Sequence, residues 1–152
     1  MEKLVVKGKK ILSGAIKISG SKNATLPILA ASILSEKKIV IKRVPVVKDV
    51  ITMCHLLKHM GSNIKFDTIN NKISILNKNR KFKNTAPYSF VKTMRAGVIV
   101  LGSLLTKFGK AKVSLPGGCA IGSRPVDIHL FGLKKLGAKI KIKNGYILAE
   151  AK

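Results

Sequence analysis

One segment of this 152-residue chain is written twice. Leu57-Lys58-His59-Met60-Gly61-Ser62-Asn63-Ile64-Lys65 recurs as Leu133-Lys134-Lys135-Leu136-Gly137-Ala138-Lys139-Ile140-Lys141, with Leu, Lys, Gly, Ile and Lys at matching places. Upstream, Val44-Pro45 corresponds to Leu115-Pro116, each pair following a helix pattern and a strand pattern. A repeat of this length is one supersecondary unit that cannot bury its apolar face alone and must stack on its neighbours. The chain is therefore expected to be α/β, an array of α+β repeats over about 21–76 and 88–149.

Periodicity fills in each unit. Leu4-Val5-Val6 and Ala15-Ile16-Lys17-Ile18 read as short strands joined by a turn around Lys9-Lys10. Ser21 can cap a helix running to about Leu34, with Pro27 kinking its first turns or marking a later start. Ile39-Val40-Ile41 is a strand. Val50, Met53, Leu57 and Met60 then recur at helical spacing up to Gly61, with Cys54 beside the stripe as core packing. Strands around Ile64-Lys65-Phe66 and Ile73-Ser74-Ile75 pair through Asn70-Asn71. In the second unit Val91, Met94, Val98, Leu101 and Leu105 predict one continuous helix from Tyr88 to Phe108, closed by Gly109. A strand from Ala111 to Ser114, a helix from Pro125 to Leu136 and a hairpin turning at Asn144-Gly145 follow.

Composition excludes several classes. Thirty basic against six acidic residues give a formal charge of +24, which invites a polyanion partner. Yet 26 of the 30 are Lys, spread along the whole chain, and aromatics make up 5% of residues, so no specific nucleic-acid partner is expected. The longest apolar run, Ala96 to Leu105, is half the length of a membrane span and is interrupted by Gly102 and Ser103. No membrane partner is expected. The start lacks the apolar core of a signal peptide, and the two cysteines have neither disulfide-framework nor metal-ligand spacing, which favours a cytoplasmic setting. His55 and His59 share a helix face without the Glu of a zinc-protease motif, so metal is not expected.

Chemistry-bearing residues gather between Ser114 and His129. Pro116-Gly117-Gly118 and Gly122 make a loop of wide backbone freedom, and Cys119 rides on it with Lys112 and Arg124 near in sequence. Nearby cations lower a thiol pKa and make the thiolate reactive; the other reading is a small buried thiol in a tight turn. Pro125 suits the first turn of a helix, leaving Arg124 beside free N–H groups that can address an anion.

Leu-Pro-Gly-Gly-Cys-x-Ile-Gly-x-Arg-Pro-Val-Asp-x-His over 115–129 closely resembles the UDP-N-acetylglucosamine enolpyruvyl transferases. Ile18-Ser19-Gly20-Ser21-Lys22-Asn23-Ala24 is similar to that family's phosphoenolpyruvate motif, and Val91-Lys92-Thr93-Met94-Arg95-Ala96 to its central helix motif. The resemblance implies an inside-out α/β barrel of the enolpyruvyl transferase type, with helices buried at the centre. Six units form two domains, and two of the six are present here. Residues 1–20 would be strands packing on the second domain, and 21–152 an incomplete first domain with apolar faces left open.

The implied activity is transfer of enolpyruvyl from phosphoenolpyruvate to the 3-hydroxyl of UDP-N-acetylglucosamine, the first committed step of peptidoglycan synthesis, in a truncated or split form. Cys119 is then the general acid and site of a covalent phosphoenolpyruvate adduct. Lys22, Asn23 and Arg124 hold phosphoenolpyruvate; Asn23, Arg95, Arg124, Pro125, Val126, Asp127, Ile128 and His129 hold the UDP-sugar, with Ile128 standing where the family often has Leu. No cofactor is implied. The family's catalytic carboxylate and a further arginine lie beyond these residues, so a separate C-terminal half is a conceivable partner. Three rivals remain: a non-catalytic remnant, a UDP-sugar or anion-binding fragment, and the sister enolpyruvyl transferase of aromatic biosynthesis, against which Cys119 and Arg124-Pro125-Val126-Asp127 speak.

Overall fold

The computed structural model describes residues 3–9, 11–78, 81–117 and 126–151. The first unit runs α1 (Lys22–Ala31), a 3-10 turn (Ser32–Leu34), β1 (Ile39–Lys42), α2 (Lys48–Met60), β2 (Asn63–Asp67) and β3 (Lys72–Leu76). Its sheet has the order β1-β3-β2, antiparallel throughout. The second unit runs β4 (Thr85–Ala86), α3 (Tyr88–Val91), a 3-10 turn (Arg95–Ile99), α4 (Val100–Phe108), β5 (Lys110–Ser114), α5 (Asp127–Lys135), β6 (Lys139–Lys143) and β7 (Tyr146–Glu150). Its sheet has the order β4-β5-β7-β6. Apart from β4, the two sheets have one topology: first strand, returning strand of the hairpin, outgoing strand.

The repeated residues have a common local cause. Gly61 takes φ 119° and Gly137 φ 93°, ending α2 and α5 with left-handed residues that glycine adopts freely. The Ser62 N–H donates to Leu57 O at 2.9 Å, and the Ala138 N–H to Leu133 O at 3.0 Å. Each bond spans six residues and satisfies an end carbonyl, which is the Schellman cap. Leu-x-x-x-Gly is thus the written form of one helix stop used twice. Asn144 (φ 51°) and Gly145 (φ 74°) supply the two positive-φ residues of a tight hairpin. The first hairpin closes over four residues, 68–71, where Asp67 accepts from the Asn70 backbone at 3.0 Å and its side-chain amide at 2.8 Å.

Two expectations fail. The continuous helix over 88–108 is broken: Met94 is extended (φ −133°, ψ 105°) between α3 and the Arg95–Ile99 turn. The extended residue turns the Met94 side chain into the core, and Gly97 packs so tightly on Val91 that a Cβ there would lie 3.2 Å from both its methyl carbons. The two N-terminal strands do not form either. Residues 3–9 and 11–19 are exposed and unpaired with any described strand, because a strand needs a neighbour to satisfy its ladder.

Both units share one continuous apolar core, in which α1, α2 and α4 contribute most of the large side chains. The linker binds the units together: the Lys83 N–H donates to Met60 O at 2.7 Å, and β4 pairs in parallel with β5. Lys107 of α4 reaches across to Ile33 O at 2.8 Å, placing a cation on carbonyls at the end of the first helix. At the far side β6 is a sheet edge that pairs with no further strand among the described residues, with Lys139, Lys141 and Lys143 exposed along it.

Candidate functional site

The start of α1 is built by contact rather than by propensity. Gly20 lies against the backbone of Arg43: a Cβ on Gly20 would sit 1.6 Å from the Arg43 carbonyl oxygen. Arg43 itself has φ 56°, so the chain turns sharply after β1 to make this approach. The Ser21 hydroxyl accepts the Ala24 N–H at 3.2 Å, capping the helix as its sequence predicts. Lys22 and Asn23 follow as the first two helical residues, both exposed. The Lys22 ammonium meets the Asp49 carboxylate in the first turn of α2 at 2.9 Å.

Beside α1 lies the second motif. The Arg95–Ile99 turn packs against α1, so the break at Met94 sets the backbone of Arg95 at the helix bundle rather than along a straight rod. The third motif arrives on the same bend. A Cβ on Gly117 would stand 2.7 Å from Lys92 O, so this glycine permits the loop leaving β5 to lie on the 91–96 segment. Val126 is buried just ahead of α5, and Asp127, Ile128 and His129 form the exposed first turn of that helix. Ile128, His129 and Leu136 border an apolar groove of about 320 Å³ against Val98, Leu101 and Gly102. Cys119, Arg124 and Pro125 lie outside the described residues.

The EPSP synthase (3-phosphoshikimate 1-carboxyvinyltransferase) family model matches residues 6–152. The chain belongs to the EPSP synthase family. A Pelagibacter ubique protein named UDP-N-acetylglucosamine 1-carboxyvinyltransferase is 61% identical over 152 residues, 99% of this chain and 36% of that protein. Its namesake in Hydrogenovibrio crunogenus is 53% identical with the same coverage. The chain thus spans about 36% of the length of these curated relatives. Among solved structures, the enolpyruvyl transferase NikO from Streptomyces tendae superposes with TM-score 0.76 at 17% identity, over 93% of this chain and 30% of that one. EPSP synthase from Acinetobacter baumannii superposes with TM-score 0.61 at 16% identity, over 90% of this chain and 32% of that one. The fold is that of the enolpyruvyl transferases, and the share covered is about what two units of six come to.

Within this member of the EPSP synthase family one cleft ahead of α1 is lined by charge of a single sign. This cleft of about 720 Å³ between residues 17–20, the β1–α2 turn and the first hairpin is lined by Lys17, Lys42, Arg43 and Lys72, with no carboxylate among its lining residues. Asp49, which lies in none of the three motifs, is the acid beside Lys22. Its distance of 27 residues from Lys22 left no local signal to find it by. Cys54 is 3% exposed, and burial pushes its thiol up to about 11 against the opposing pull of Lys58, so it is a packed, unreactive thiol. His59 leans on Phe90, ring centroids 5.3 Å apart. Among the described residues no group of three His, Cys, Asp or Glu gathers to hold a metal, and no helix is long and apolar enough to cross a membrane.

Proposed function

We propose that this chain is the N-terminal, substrate-holding portion of a UDP-N-acetylglucosamine enolpyruvyl transferase acting in peptidoglycan synthesis. The observation that carries the reading is the packing of the 95–99 turn on α1 and of Gly117 on Lys92, which brings parts of the three motifs together in a chain 61% identical to a protein of that name. In the reaction the sugar 3-hydroxyl oxygen bonds to C2 of phosphoenolpyruvate while C3 takes a proton; phosphate then leaves as C3 gives a proton back. Such chemistry needs cations for phosphate and carboxylate, an acid for C3 and a base for the hydroxyl.

Lys22 and Arg124 are the cations of the phosphoenolpyruvate site, with Asn23 beside them. Arg95 and the Arg124–His129 segment hold the UDP-sugar, Asp127 accepting hydrogen bonds at the head of α5. Cys119 delivers the proton. The base and a further arginine come from outside these residues, so the 152-residue polypeptide binds substrate without turning it over. Calorimetric titration is expected to show UDP-N-acetylglucosamine binding that Arg124→Ala weakens, and no phosphate release above a Cys119→Ala control. Binding of 3-phosphoshikimate in preference to the UDP-sugar would reassign the chain to the sister enzyme; binding of neither would leave a non-catalytic remnant.

A further inference from the structure

We infer that Asp49 is a positioning residue for Lys22, holding its ammonium at the head of α1 with two of its three N–H donors left for the anionic substrate; this rests on the reading of Lys22 as a phosphoenolpyruvate ligand. Lys22 stands in the first turn of α1, where the helix presents unsatisfied N–H groups and partial positive charge. That field repels an ammonium and turns a free lysine side chain outward. Asp49 is in the first turn of α2, where the same field favours a carboxylate. The Asp49 Oδ2–Lys22 Nζ contact of 2.9 Å therefore joins a well-placed acid to a poorly placed base. Both are tied to one rigid core through α1 and α2, which pack on each other.

Exposure indicates hold rather than blockade. The Lys22 side chain is 47% exposed and Asp49 35% exposed, so the pair is open on the side away from the helices. The ammonium has three donors, and the bond to Asp49 is its one recorded hydrogen bond among the described residues. An incoming phosphate can take the other two without displacing Asp49. Lysine is a flexible point charge whose stem has much rotamer freedom, so fixing it beforehand lowers the ordering cost of binding.

The test uses the whole chain and phosphoenolpyruvate as probe. Asp49→Asn removes the charge and keeps the shape. It is expected to weaken phosphoenolpyruvate binding by about fivefold, near the upper end of what an exposed ion pair supports. UDP-N-acetylglucosamine affinity should stay within about twofold, with partial recovery in Asp49→Glu. Carbon relaxation at the Lys22 ε-methylene is expected to show an ordered side chain in the wild type and rapid averaging in Asp49→Asn. Unchanged phosphoenolpyruvate affinity in Asp49→Asn, with Lys22→Ala weakened, overturns the inference while leaving the function reading intact. Unchanged affinity in Lys22→Ala overturns both. Rapid averaging of Lys22 in the wild type overturns the inference without recourse to any substitution.

Discussion

Gly20 and Cys54 show how single atoms decide positions that composition leaves open. The van der Waals space at Gly20 is taken by the Arg43 carbonyl, and the obstructing atom is backbone, so alanine can fit only if the β1–α2 turn moves. Gly20→Ala is expected to cost roughly 1–3 kcal/mol in urea unfolding, the range of overpacking substitutions; a change under about 0.5 kcal/mol would refute the close approach. The Cys54 thiol, raised from 9.0 to about 11 by burial, makes a pH-dependent contribution whose sign is fixed. Below pH 9 both folded and unfolded states keep the proton and the contribution is complete. From pH 9 to 11 the unfolded chain ionises first, and stability falls by at most about 1.4 kcal/mol per pH unit. The advantage of wild type over Cys54→Ala should therefore shrink between pH 9 and 11 in denaturation curves; a constant difference would contradict it.

Elements repeat because their ends repeat. A Cβ on Gly137 meets nothing within 4 Å, so Gly137→Ala isolates the cost of a left-handed backbone at the stop of α5. That cost is expected to be about 1 kcal/mol, with Asn regaining part of it. Thermal or urea denaturation of the two variants measures it. These stops, the Ser21 cap and the Asn144-Gly145 turn were legible in the sequence because each is decided within about six residues. The break inside 88–108 was not. Val91, Met94, Val98, Leu101 and Leu105 are all buried, so the apolar pattern is satisfied equally by a bent path and a straight one. β4 was invisible for another reason: Thr85-Ala86 is two residues long and finds its partner at Lys112-Val113, after two intervening helices and a 3-10 turn. Lys22 was legible from its motif, whereas Asp49 became visible only when two helices were packed side by side.

At the scale of the whole molecule, the core is continuous across both units, yet α5 keeps much of its apolar surface outside it. Ile128, Phe131 and Leu136 are 81%, 62% and 86% exposed. Exposed apolar surface of this kind binds hydrophobic dyes and drives association. The isolated chain is expected to enhance anilinonaphthalene sulfonate fluorescence and to sediment as a concentration-dependent mixture, both reduced by Phe131→Lys with Leu136→Lys. An unchanged dye response in that double variant would place the exposed surface elsewhere.

Lys139, Lys141 and Lys143 give the open edge of the second sheet a different significance in a protein carrying so much charge. An unpaired strand is a template for another strand, and here mutual repulsion between lysine rows keeps two such templates apart. That protection is ionic, so its strength belongs as much to the surrounding medium as to the fold. A dense polyanion neutralises the rows and can bridge two edges at once. The residues that hold two such edges apart then become the handles by which they are gathered.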